Sequence, residues 1–248
     1  MGSSAVDLTS RLLRHERILI ACTVALLITV GWAFLIRGME MGGMDPPLTA
    51  LVAMWWLMML AMMLPSATPA ILLYAQVRRS RDEDAAIAQT WVFLTGYLAV
   101  WLCFSIAAAL AQSMVADSSM VVRDRTTSAS LLVLAGAYQL APLKSACISQ
   151  CRSPGQFISR HWRAGSDGAV RLGVLHGAYC VGCCWLLMAL LFVGGVMNLL
   201  WIIGLTVLVA GEKLLPAKFF LPQLSGVSLI IWGLWKALAD GLLDNLMS

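Results

Sequence analysis

The run His176-Gly-Ala-Tyr-Cys180-Val-Gly-Cys183-Cys184-Trp185 gathers one imidazole and three thiols within a few helical turns. At about 100° per residue, Cys183 falls about −20°, Cys180 about +40° and Cys184 about +80° from His176, so a helix puts all four on one face. Thiolates and imidazole form a soft ligand set suited to copper or zinc, and thioethers favour copper(I). One helix rarely completes a coordination sphere. Cys147 and Cys151, spaced i, i+4, are the natural second contributors. If the helix enters the bilayer near Arg171, Cys180 lies about 13 Å further in, which allows one shared site or two stacked ones.

Two other chemistries compete. Cys180-x-x-Cys183 has the spacing of thiol oxidoreductases, although a mid-helix position lacks the dipole that activates such thiols at a helix N-terminus. Alternatively the thiols pack as small hydrophobes, the reading preferred for isolated Cys22 and Cys103. A permanent disulfide between Cys147 and Cys151 does not suit a reducing inner-leaflet position. Gly177 and Gly182 beside the cluster let a neighbouring helix approach closely.

Methionines extend the soft set. Met54, Met58 and Met62 stack at i, i+4, either as a flexible core or as ligands, with Met58 and Met62 the candidates. Met39, Met41 and Met44, with Glu40 and Asp45, form a separate group beyond the first apolar run. Together these positions suggest a route for a soft metal at successive depths. Glu212 is the clearest acid inside an apolar run and therefore a functional candidate, while Lys213 can snorkel and pair with it. Asp240 and Lys236 read as an ordinary i, i+4 ion pair.

The elements that position these residues follow from composition. The chain is 60% hydrophobic and only 12% charged, about half the charge of a soluble domain. That excludes a secreted disulfide scaffold, a disordered tail and a cytosolic enzyme. Apolar runs long enough to span a bilayer fall at about 18–36, 48–74, 86–112, 128–147, 171–193, 197–215 and 222–242. They are continuous rather than alternating, which excludes membrane strands. The expected fold is all-α, a polytopic transmembrane bundle of about seven spans, or six if the last lies in the interface. Pro65, Pro69, Pro216 and Pro222 are expected to interrupt or end helices, and 152–170 reads as the longest loop.

Placing the N-terminus in the cytoplasm puts thirteen of the seventeen Lys and Arg residues inside, as the positive-inside rule requires. Residues 1–17 then form a basic cytoplasmic segment and 18–248 a single transmembrane domain, with the first run an uncleaved signal anchor. The net charge of +4 is accounted for by topology and requires no nucleic-acid partner. No phosphate-binding loop is present, so no nucleotide is expected.

Three separated stretches carry a resemblance. They are Met54-Trp55-Trp56 through Met62-Met63-Leu64-Pro65; Tyr138-Gln139-Leu140-Ala141-Pro142-Leu143-Lys144 through Cys147 and Cys151 to Pro154; and His176 through Trp185, Met188 and Gly195-Val196-Met197-Asn198 to Glu212-Lys213-Leu214. In order over about 48–216, they resemble a bacterial family described as predicted metal-binding integral membrane proteins, a domain of unknown function. The resemblance implies a helical membrane protein with a metal site at these His and Cys positions, and it implies no activity.

The combined expectation is a multi-pass protein of the bacterial inner membrane that handles or delivers a soft metal, copper before zinc. His176, Cys180, Cys183 and Cys184 are the expected ligands, Cys147 and Cys151 partners or an inner exit site, and Glu212 a supporting or proton-coupled group. No catalytic residues are assigned, and binding is favoured over enzymic activity. Expected partners are the lipid bilayer and a membrane metalloenzyme or other membrane subunit. A membrane thiol oxidoreductase and a non-catalytic subunit of a larger complex remain the alternatives.

Overall fold

The computed structural model describes residues 2–38, 47–81, 86–115 and 124–247, with side chains described over 18–38, 47–81, 86–114 and 124–239. The Met39, Met41 and Met44 group with Glu40 and Asp45 lies outside the described residues, and so does the side chain of Asp240.

Among the described residues every regular element is helical. The long helices are α1 (Gly2–Gly38), α2 (Leu48–Ser80) and α3 (Ala86–Val115). A bent pair follows, α4 (Arg125–Leu140) and α5 (Pro142–Arg152), then short α6 (Pro154–His161) and long α7 (Gly165–Ala189). One turn of helix, α8 (Leu191–Gly194), precedes α9 (Leu199–Leu214) and α10 (Leu221–Met247).

Five helical stretches are long and apolar enough to cross a membrane: Ile18–Arg37, Leu48–Ser80, Ala86–Met114, Gly165–Gly194 and Ala217–Ala239. The bent pair makes a sixth if it is counted as one span. Among the described residues, length and composition thus give five or six candidate spans, against the seven, or six, read from the apolar runs. Two runs account for the difference. The run at 197–215 becomes α9, only 16 residues long, about 24 Å at 1.5 Å per residue. The run at 128–147 is broken, with α4 and α5 meeting at 63°. Pro142 explains the break: a residue before proline is driven out of the helical region, and Ala141 is extended at φ −71°, ψ 143°.

Pro65 and Pro69 behave differently from the expectation, for both lie inside an unbroken α2. The hydroxyls of Ser66 and Thr68 donate to the carbonyls of Met63 and Leu64 at 3.0 and 2.8 Å. These bonds do not reach the carbonyls of Ala61 and Pro65 that the prolines leave without a donor; packing of neighbouring helices around α2 keeps it continuous. The expected loop at 152–170 is also corrected: α6 and the first turn of α7 occupy part of it. At the start of α4, Asp124 Oδ2 accepts the Thr127 N–H at 2.7 Å and the Thr127 hydroxyl. These bonds hold its carboxyl below the usual range, a stabilisation lost as pH falls through the folded value.

Helix α2 lies at the centre of the bundle, against α1, α3, α6 and α9, while α7 packs on α3 and α5. The α3–α7 seam runs on glycine. A Cβ at Gly173 would lie 2.0 Å from the Phe93 carbonyl oxygen, and one at Gly96 would lie 2.5 Å from that of Val170. Backbones this close leave no room for a side chain. At Gly195, φ of +96° turns the chain from α8 towards α9, a conformation that glycine adopts without strain.

The seam should be intolerant. Gly173→Ala must push α3 and α7 apart and is expected to cost about 1–3 kcal/mol or more. Gly204→Ala on α9 meets nothing within 4 Å and should be neutral or stabilising by up to about 1 kcal/mol. Thermal unfolding in detergent checks the pair, and equal melting temperatures for the two variants would contradict the seam.

Candidate metal centre

Helix α7 presents His176, Cys180, Cys183 and Cys184 on one buried face, none more than 3% exposed. The thiols are drawn together around Cys180. Cys151, from α5, lies close enough to Cys180 and Cys183 to interact with both, and so does Cys184 from α7 itself. Cys183 and Cys184 also approach the Cys180 carbonyl oxygen at 3.1 and 2.9 Å, as thiols do when bonding back along their own helix.

Three other helices close around this group. Lys213 Nζ, from α9, donates to Cys180 Sγ at 2.9 Å. The Tyr97 hydroxyl, from α3, lies 3.3 Å from the same sulfur. Met63 Sδ, from α2, is 3.9 Å from Cys184 Sγ and 3.8 Å from Lys213 Nζ. The result is a dry pocket of sulfur with one ammonium in it. Among the described residues no group of three or more His, Cys, Asp or Glu side chains is arranged to hold a metal ion as it stands. The geometry supplies the reason: two thiols turn to a backbone carbonyl, and Cys180 faces an ammonium.

A second polar network explains how Cys151 reaches the group. Glu212 Oε2 accepts from Lys144 Nζ of α5 at 2.5 Å, both side chains being 1% exposed. Gln139 Nε2 donates to Glu212 Oε1 at 2.7 Å, and Lys144 also donates to Gln139 Oε1. Arg152, next to Cys151, donates from Nε to the Glu212 carbonyl at 2.7 Å. A carboxylate in an apolar interior must be paired and hydrogen-bonded to stay charged, and this one is. Glu212 thus fastens the bent-back α5 to α9. Its neighbour Lys213 points to the thiols instead, so the expected Glu212–Lys213 pair is replaced by two separate contacts.

The remaining candidates fall at different places. Cys147 Sγ packs on Gly182, where a Cβ would lie 3.0 Å from it. The adjoining Gly182 carbonyl accepts the Tyr138 hydroxyl. His176 stands one turn from Cys180, with its ring centroid 5.4 to 6.1 Å from those of Phe157, Tyr97 and Phe93. Its Nδ1 is buried with no hydrogen-bond partner. Met58 and Met62 are fully buried, but the thioether beside Cys184 belongs to Met63, one residue and about 100° round the helix from Met62.

Met63, Tyr97 and Lys213 were not among the sequence candidates. A lysine inside an apolar run was the available signal for Lys213, masked by the adjacent Glu212. The other two depend on helix register across the bundle, which spacing within one helix does not encode.

The chain belongs to the PpoB2 family, described as a copper chaperone, whose model matches residues 52–236. That stretch includes every residue of the thiol group and of the Glu212 network. No curated protein and no solved structure matches the chain.

If the Lys144–Glu212 pair positions α5, breaking it should release Cys151. Lys144→Met leaves Glu212 buried and unpaired, a loss of about 3–5 kcal/mol, most of which Lys144→Met/Glu212→Met should recover. Alkylation of Cys151 by a membrane-permeant maleimide, followed by mass spectrometry, should be faster in Lys144→Met than in the unaltered protein. Unchanged labelling would assign Cys151's position to other contacts.

Proposed function

We propose that this copper chaperone family member is a multi-pass membrane protein that takes copper(I) as cargo and passes it to a membrane metalloenzyme. In this reading Cys151, Cys180, Cys183 and Cys184 provide the thiolates and Met63 a thioether. The carrying observation is that three buried thiols share one face of α7, with Cys151 of the packed helix α5 beside them and a thioether at their edge. Four thiolates alone would also suit zinc; the thioether of Met63 at their edge is what favours copper(I).

Several features support the membrane part of the reading. Five or six apolar helices of sufficient length and the distribution of Lys and Arg fit a bilayer protein with a cytoplasmic N-terminus. The other candidates acquire graded roles. His176, with Nδ1 unpartnered one turn above Cys180, is suited to receive the ion before the thiols do. Cys147 lies on the other flank, against Gly182, and suits the exit side. Glu212 serves by holding Cys151 in place.

One observation favours a second reading. A lysine 2.9 Å from Cys180 Sγ is the kind of neighbour that stabilises a reactive thiolate, as a membrane thiol oxidoreductase requires. Thiol trapping in cells separates the two: a reversible disulfide that follows oxidant supply would favour redox chemistry.

Elemental analysis of anaerobically purified protein tests the metal reading. Copper should accompany the unaltered chain and fall to background in Cys180→Ser/Cys183→Ser. Equal copper in both would overturn it.

A further inference from the structure

We propose that Lys213 is a competing internal cation, which a metal ion must displace to enter the thiol group and which returns when the ion leaves. The inference rests on the metal reading above and adds a device for release to it.

Three observations carry it. First, the ammonium sits among the ligands themselves. Nζ lies 2.9 Å from Cys180 Sγ and 3.8 Å from Met63 Sδ. The sulfurs that would hold a soft cation already surround one. Second, Lys213 is buried at 5% exposure, and among the described residues no carboxylate lies within ion-pair distance of it. The adjacent Glu212 is engaged by Lys144, Gln139 and Ser225. A buried ammonium needs an anionic or polar partner, and the thiol group is the one within reach. Third, there is an acceptor to which it can retreat. Ser66 Oγ is 3.5 Å from Nζ. The preceding carbonyl, of Pro65, has lost its usual helical donor because residue 69 is proline.

The consequence is a balance between holding and release. The displaced ammonium stays tethered to α9 near Ser66, still close to the bound ion, and in a buried interior little solvent screens the repulsion between them. The penalty doubles for a divalent ion, so the same lysine discriminates against zinc. Cargo binds by exchange: the ion replaces the ammonium beside the sulfurs, and the thiols that donate to the Cys180 carbonyl release their protons to solvent as they become ligands. No redox step is involved, and as the metal departs the thiols take up protons and the ammonium returns.

Removing the charge while keeping the shape tests this. Silver(I) serves as a redox-stable probe of copper(I) binding and cadmium(II) as the divalent probe, with purified full-length protein in detergent. Lys213→Met should bind silver at least about tenfold more tightly than the unaltered chain and release it more slowly to a soluble thiol chelator. Its gain for cadmium should exceed its gain for silver. Lys213→Arg, which keeps the charge, should stay near the unaltered affinity. If Lys213→Met unfolds, Lys213→Gln gives the same readout with a hydrogen bond to Ser66 retained.

Silver affinity equal to or below that of the unaltered chain, in a folded uncharged variant, would overturn the competition while leaving the metal reading in place. So would equal gains for the two ions. Failure of both the unaltered chain and the variants to bind either ion would overturn the metal reading and this inference with it.

Discussion

The arrangement depends on one buried ion pair, Lys144 to Glu212. At 2.5 Å and 1% exposure on each side, neither charge has water to fall back on, so each is obliged to find the other. That obligation pins α5 to α9, and the Arg152 bond to the Glu212 carbonyl adds a second point of attachment. Cys151 lies between these attachments and is thereby held against α7. An apolar replacement of similar volume would hold the helices as firmly. What the pair supplies is register: an apolar contact slides, but a carboxylate with three donors has one position.

Glu212 also determines what Lys213 does. Adjacent residues on a helix point about 100° apart, so an acid directed at α5 sends the next side chain towards α7 and α2. The acid is saturated by Lys144, Gln139 and Ser225, which leaves the neighbouring ammonium to the sulfurs. The structural network and the thiol group are therefore the two sides of one helical step. Each contains a single buried cation, and only the first has a carboxylate to neutralise it.

Much of this was legible in the sequence. The apolar runs gave the all-helical fold, because only helices satisfy so continuous an apolar backbone, and the 100° rule put His176, Cys180, Cys183 and Cys184 on one face. The i, i+4 spacing of Cys147 and Cys151 brought α5 to notice, although only Cys151 joins the thiols. The parts that were not legible depend on tertiary register. Met62 and Met63 are equivalent as sequence, and the rotation of α2 against α7 and α9 decides which thioether meets Cys184. Pro65 and Pro69 look like helix breakers until the packing around α2 is counted. Pro142 breaks its span because α5 has an alternative place to go, docked through Lys144.

If the thiol group takes copper as proposed, it faces opposed demands, and the fold separates them. Tight capture requires ligands that are already converged and dry; the α3–α7 seam meets this by bringing backbones too close for side chains, which fixes the face bearing the thiols. Hand-over requires that the converged state not be the deepest one for the metal. A site built from thiolates alone, in an apolar interior, would gain so much from neutralisation that a cation would not leave. An ammonium placed among the sulfurs lowers that gain without removing any ligand, because the empty site is already partly neutralised. On the proposed reading the lysine among the sulfurs eases release of the ion from a buried site, and its neighbouring acid is then occupied elsewhere.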